Sequence, residues 1–107
     1  MSNELEFQNV CVAREANVYF DGKVTSRTIT MPDGSQKTLG VMLPGEYEFG
    51  TQAAEEMDIS SGDLDVLLPD ADDWVSFTGA CVFHVPAEAS FKLKVHSITH
   101  YCCTYLR

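Results

Sequence analysis

The chain has 107 residues, 45% of them hydrophobic, which suits one globular domain. A domain of this size buries somewhat over about 60% of the surface its unfolded chain exposes, too little for a two-domain cleft enzyme. Seven Lys and Arg against sixteen Asp and Glu leave a net charge of −9, which repels nucleic-acid backbones and anionic lipid, so polymeric nucleic acid and a membrane are not expected partners. Along the chain, residues 4 to 14 show weak apolar spacing at a helical period, and period-two alternation dominates thereafter. It predicts strands over 17–20, 23–31, 37–43, 46–50, 56–60, 64–68, 73–77, 81–85, 90–95 and 99–106. Turns are predicted at Asp33-Gly34, Pro44-Gly45, Ser61-Gly62, Pro69-Asp70 and Pro86-Ala87. Short strands at this spacing without intervening helices read as an all-β single domain over 1–107, a small barrel or sandwich.

Successive side chains in a strand point to opposite faces, so alternation also assigns what is inside. Leu64, Val66 and Leu68 share one face and leave Asp63 and Asp65 to water. Phe91, Leu93 and Val95 oppose Lys92, Lys94 and His96. Tyr47 and Phe49 oppose Glu46 and Glu48, which sends both of those glutamates to solvent. Glu55 and Glu56 are adjacent and diverge, so at most one of them faces the interior; Glu56 shares a face with Asp58, opposite Met57 and Ile59. Of the seven cations, Lys92 and Lys94 lie on a solvated face, Arg107 is terminal and Arg14 falls in the weakly patterned N-terminal stretch. Lys23, Arg27 and Lys37 remain as partners for a small anion, which a chain this acidic must hold with a local cation or with backbone N–H groups.

Cysteines stand at 11, 81, 102 and 103. MSNELEFQNV has acidic residues where an export signal needs basic ones, so a cytoplasmic chain with free thiols is expected. A Cys102–Cys103 bond is disfavoured, because neighbouring Cα atoms lie about 3.8 Å apart and a relaxed disulfide needs roughly 4.4 to 6.8 Å. His84, His96 and His100 are scattered, with no H-x-H or C-x-x-C spacing, so neither a metal nor a cofactor is expected. There is no G-x-S-x-G elbow and no phosphate loop.

Four stretches in order, NVYFDGKVTS (17–26), KTLGVMLPGEYEFGTQAAEEMDISSGDLDVLLPDADDW (37–74), VFHVPAEASFKLKV (82–95) and YCCTYL (101–106), resemble the small cupin-type pyrimidine/purine nucleoside phosphorylases of bacteria. The resemblance implies a cupin-like β-barrel, a homodimer, and phosphorolysis of nucleosides with inorganic phosphate to a free base and ribose 1-phosphate. Where metal cupins carry H-x-H and a glutamate, this chain reads EYEFGTQAAEEM, so the implied group transfer needs no metal. Cupins often place a glycine before the strand that here reads VFHVP; TGACVFHVP puts Gly79 one residue early.

Such a reaction needs a group that orients phosphate, a group that grips ribose hydroxyls, and an apolar wall tolerant of many bases. Chemistry and position assign Lys23, with Ser26 or Arg27, to phosphate, Glu56 to ribose, and Tyr47, Phe49, Phe91 and Tyr101 to the wall. Lys23 and Glu56 are the expected catalytic pair. A metal-free cupin that binds a small metabolite without turnover is the alternative, and a sugar-ring isomerase a third reading.

Overall fold

Alternating apolar side chains gain most when two sheets bury their facing sides against each other, and that is how this chain folds. The computed structural model describes residues 6–106. The strands are β1 (Cys11–Val12), β2 (Asn17–Tyr19), β3 (Val24–Thr30), β4 (Gln36–Met42), β5 (Gly45–Gly50), β6 (Ala54–Ser61), β7 (Asp63–Leu67), β8 (Val75–Thr78), β9 (Cys81–Val85), β10 (Ser90–Val95) and β11 (Thr99–Leu106). A seven-stranded sheet runs β1-β3-β4-β11-β6-β9 with β2 also on β3, and a four-stranded sheet runs β5-β10-β7-β8. All pairings are antiparallel.

From β4 onward the chain passes repeatedly between the sheets. One crossing, β6 to β7, turns at Gly62, whose φ is +142°; a Cβ there would stand 2.2 Å from the Thr99 hydroxyl oxygen. Another, β8 to β9, turns at Gly79 with φ +81°, and the Gly79 N–H donates to the Gly62 carbonyl at 2.8 Å. The shifted glycine noted in the sequence is therefore the turn residue itself.

The two inner faces make one core. Val24, Met42, Met57, Ile59, Phe83, Val85 and Cys103 come from the large sheet, and Tyr47, Leu64, Val66, Phe91, Leu93 and Val95 from the small one. Ile59 and Leu64 are fully buried, each contributing about 1.5–3 kcal/mol over an exposed side chain.

The cupin-like all-β class stands, with one change of detail: the sheets face each other as a sandwich and do not close into a continuous barrel. Strands over 81–85, 90–95 and 99–106 fall where alternation places them. The helical spacing near the N-terminus does not become a helix among the described residues; Cys11 and Val12 pair with Thr30 and Ile29 at the sheet edge instead. Residues 4 and 5 of that stretch lie outside the described residues. Phe20 does not continue β2, because Phe20, Asp21 and Gly22 turn with φ of 52°, 57° and 91°. That turn swings the Phe20 ring onto Tyr47 and Phe49, at centroid distances of 4.9 and 5.4 Å. The strand expected over 73–77 is β8, beginning at Val75; Trp74 stays outside it under the Lys94 ammonium, 4.3 Å from the ring centroid.

Candidate active site

Three adjacent strands of the large sheet bring hydroxyls to one patch of the inner face. Ser26 on β3, Gly40 on β4 and Tyr101 on β11 are cross-strand neighbours in register. Gly40 leaves the space between them open: a Cβ there would lie 2.9 Å from both Ser26 Cβ and Tyr101 Cε1. The Tyr101 oxygen thus reaches the Ser26 hydroxyl, which accepts from Asn17 Nδ2 at 3.2 Å. Burial pushes the Tyr101 phenol up to about 12, and the hydrogen bond from Ser26 offsets part of that rise. At this pKa Tyr101 is a neutral hydroxyl near pH 7.

This patch lines a cavity of about 170 Å³ between the sheets. Its hydroxyls are those of Tyr19, Ser26, Thr38, Tyr101 and Tyr105, and its apolar side is Met42, Met57, Phe49 and Phe91. Phe49 and Phe91 are stacked at 5.9 Å between centroids, and Tyr19 meets the Phe49 ring edge-on at 6.1 Å. Glu55 is the one carboxylate in the lining, with Cys103 beside it. Burial raises the Glu55 pKa, and a hydrogen bond from the Cys103 thiol works the other way. Burial likewise pushes the Cys103 thiol up to about 12, the Glu55 charge adding to the effect. No Lys, Arg or His lines this cavity among the described residues.

Four residues singled out by sequence meet here: Ser26, Phe49, Phe91 and Tyr101. Tyr47 is buried beside them, but its hydroxyl donates to the Leu43 carbonyl at 2.6 Å and it does not reach the cavity. Glu56 faces the other way, in register with His84, its Oε1 lying 3.2 Å from His84 Nε2. Glu55 takes the inward place, because it shares parity with the buried Met57 and Ile59. Lys23 is exposed just after the Phe20–Gly22 turn. Arg27 is exposed on the outer face, where its guanidinium donates to the Arg14 carbonyl.

Sequence reasoning missed Tyr19, Thr38, Tyr105 and Glu55. The signal existed, since Tyr105 has the parity of Tyr101 and Cys103, and Thr38 that of Met42. Among the described residues no three His, Cys, Asp or Glu side chains gather where they could hold a metal ion. Nor is any described helix long and apolar enough to cross a membrane.

Comparison with known proteins adds the chemistry. The family described as pyrimidine/purine nucleoside phosphorylase matches residues 14–105. A pyrimidine/purine nucleoside phosphorylase of Sulfurovum sp. strain NBC37-1 is 61% identical over 101 residues, 94% of this chain and 98% of that relative. A solved protein of unknown function from Acinetobacter sp. ADP1 superposes with a TM-score of 0.91 at 35% identity, covering 94% of this chain and 98% of that one. The cupin domain of Schizosaccharomyces pombe Cnp3 superposes with a TM-score of 0.60 at 14% identity, over 84% of this chain and 69% of that one, and shares the fold alone. The family match and near full-length identity place this chain in the pyrimidine/purine nucleoside phosphorylase family.

Proposed function

We propose that the chain performs the reaction for which its family is named, phosphorolysis of pyrimidine and purine nucleosides to free base and ribose 1-phosphate, and that the reaction runs in the cavity between Ser26, Glu55 and Tyr101. The observation that carries this placement is that five hydroxyl-bearing residues line one cavity together with two stacked phenylalanines. Ribose and phosphate both present many oxygens, and hydroxyls match either partner because each is at once donor and acceptor. Preorganised donors in a dry cavity stabilise developing charge far better than the same groups in water. The Ser26, Thr38 and Tyr101 hydroxyls take the role that Lys23 and Arg27 held in the sequence reading, since both cations lie outside the cavity.

At about 170 Å³ the cavity is smaller than the roughly 300–1,000 Å³ typical of small-molecule sites. A nucleoside seated there keeps its ribosyl end inside and extends its base beyond. Broad base tolerance follows, since a site that hydrogen-bonds no particular base edge rejects none strongly. The protein acts in the cytoplasm as a homodimer, its outer-face Val12 and Leu39, 53% and 44% exposed, giving two copies apolar surface to share. The test is release of free base from uridine and adenosine with and without inorganic phosphate. Phosphate-dependent release is expected; binding without turnover would favour the metabolite-binding alternative.

A further inference from the structure

Glu55 belongs to two spaces at once. It lines the hydroxyl cavity, and it also lines an outer cleft formed with Gly50, Gln52, Ala53 and Tyr105. Gly50, Glu55 and Tyr105 are common to both, so they form the boundary at which the cavity meets the cleft. If ribose and phosphate occupy the hydroxyl cavity and the base projects outward, the bond joining sugar to base crosses this boundary. From this placement we propose that Glu55 is the general acid that delivers a proton to the departing base. The inference rests on the phosphorolysis proposed above.

The step balances. A phosphate oxygen forms a bond to the anomeric carbon as the carbon–nitrogen bond breaks, and that bond's electron pair goes to the base nitrogen. The Glu55 O–H proton goes to the same base, leaving the Glu55 carboxylate. The phosphate hydroxyl proton, no longer held once the ester has formed, returns to Glu55 through water. Nucleoside and hydrogen phosphate become base and ribose 1-phosphate with nothing left over.

The surroundings suit an acid more than a fixed anion. Facing Glu55 are Cys103 and Tyr105 from β11, Val85 across the ladder on β9, and Gly50 and Gln52 from the end of β5 and the following loop. Among the described residues no cation faces Glu55 to hold the carboxylate ionised, and burial raises its pKa. A partly buried carboxyl whose pKa is raised is a recurrent device for protonating leaving groups. Cys103 and Tyr101 lie nearby, but both are pushed up to about 12 and are poor proton donors near pH 7.

The test compares adenosine, whose base departs poorly without a proton, with 7-methylguanosine, whose base is already cationic and departs without one. For E55Q, kcat/KM on adenosine should fall by about 10²- to 10⁴-fold, the usual range for a lost general acid. The fall on 7-methylguanosine should be under about tenfold. The wild-type rate on adenosine should decline as pH rises through the Glu55 pKa, while the rate on 7-methylguanosine lacks that limb. This second comparison needs no variant, so it stands even if E55Q misfolds. Equal losses of E55Q on both substrates would make Glu55 a substrate-holding group and overturn the proposal, as would an unaffected E55Q or identical wild-type pH profiles. A wild type that turns over neither nucleoside with phosphate would instead overturn the function on which the inference rests.

Discussion

Replacing Gly40 by alanine tests the geometry that joins fold to site. The added Cβ would lie 2.1 Å from the Thr25 carbonyl oxygen and 2.9 Å from both Ser26 Cβ and Tyr101 Cε1, where carbon contacts prefer roughly 3.5–4.0 Å. The nearest clash is with backbone, so β3 and β4 must part by about 1 Å or more, and no rotamer change relieves it. Overpacking costs about 1–3 kcal/mol, and a backbone clash belongs to the upper half, about 2–3 kcal/mol. For a domain near this size that lowers Tm by roughly 8–24 °C. Ser26 and Tyr101 move with the strands, so kcat/KM should fall by more than the stability loss alone explains when assayed well below the new Tm. Gly50→Ala is the control: it also lines the cavity, but its Cβ would meet nothing nearer than the Ala89 oxygen at 3.8 Å. Its stability should stay within about 0.5 kcal/mol of wild type. Thermal unfolding by circular dichroism with parallel phosphorolysis rates reads both effects. G40A melting at the wild-type temperature would show that β3 and β4 accommodate the added Cβ without parting.

Tyr101→Phe removes one hydroxyl and keeps the ring, so urea unfolding should show a loss of about 0.5–1.5 kcal/mol. If the hydroxyl also binds a charged phosphate oxygen, kcat/KM should fall by roughly 10- to 150-fold, the equivalent of about 1.5–3 kcal/mol; a fall under threefold would remove Tyr101 from the site. Lys23→Ala and Arg27→Ala alter exposed cations outside the cavity, and the KM for phosphate should change less than about twofold at 0.15 M salt, where exposed charges are screened. A tenfold rise in either would return that cation to the phosphate site. Burial holds the Glu55 pKa above 4.5, so the folded state keeps its proton longer than the unfolded chain. Wild type should therefore lose stability relative to E55Q as pH rises from 4.5, levelling once Glu55 ionises in the folded state. Urea midpoints across that range measure it, and a flat or rising difference would contradict the burial argument.

How much of this was legible in the sequence depends on where alternation runs unbroken. β9, β10 and β11 were readable because apolar residues recur at every second position along them, Cys81, Phe83 and Val85, then Phe91, Leu93 and Val95, then Tyr101, Cys103 and Tyr105. β1 was not, since two residues carry no period and its pairing with Ile29 and Thr30 is decided across the chain. The end of β2 was misread because Phe20 and Asp21 adopt positive φ that their residue types do not announce. The pairing of non-neighbouring strands, such as β11 between β4 and β6, depends on long-range packing and has no local signature. For the site, parity with Met57 and Ile59 already pointed to Glu55 over Glu56. Lys23 and Arg27 were singled out because an acidic chain must hold a small anion with a local cation or backbone N–H groups; that both lie exposed outside the cavity is set by how β3 sits in the sheet, which has no local signature.

Whether phosphorolysis runs between Ser26, Glu55 and Tyr101 is decided by following free base and ribose 1-phosphate together. Purified protein is incubated with uridine and with adenosine over a series of phosphate concentrations, alongside Tyr101→Phe and E55Q. Equal amounts of base and ribose 1-phosphate are expected, saturating with phosphate and strongly reduced in both variants. Base released without phosphate, or full activity in both variants, would contradict phosphorolysis at this site.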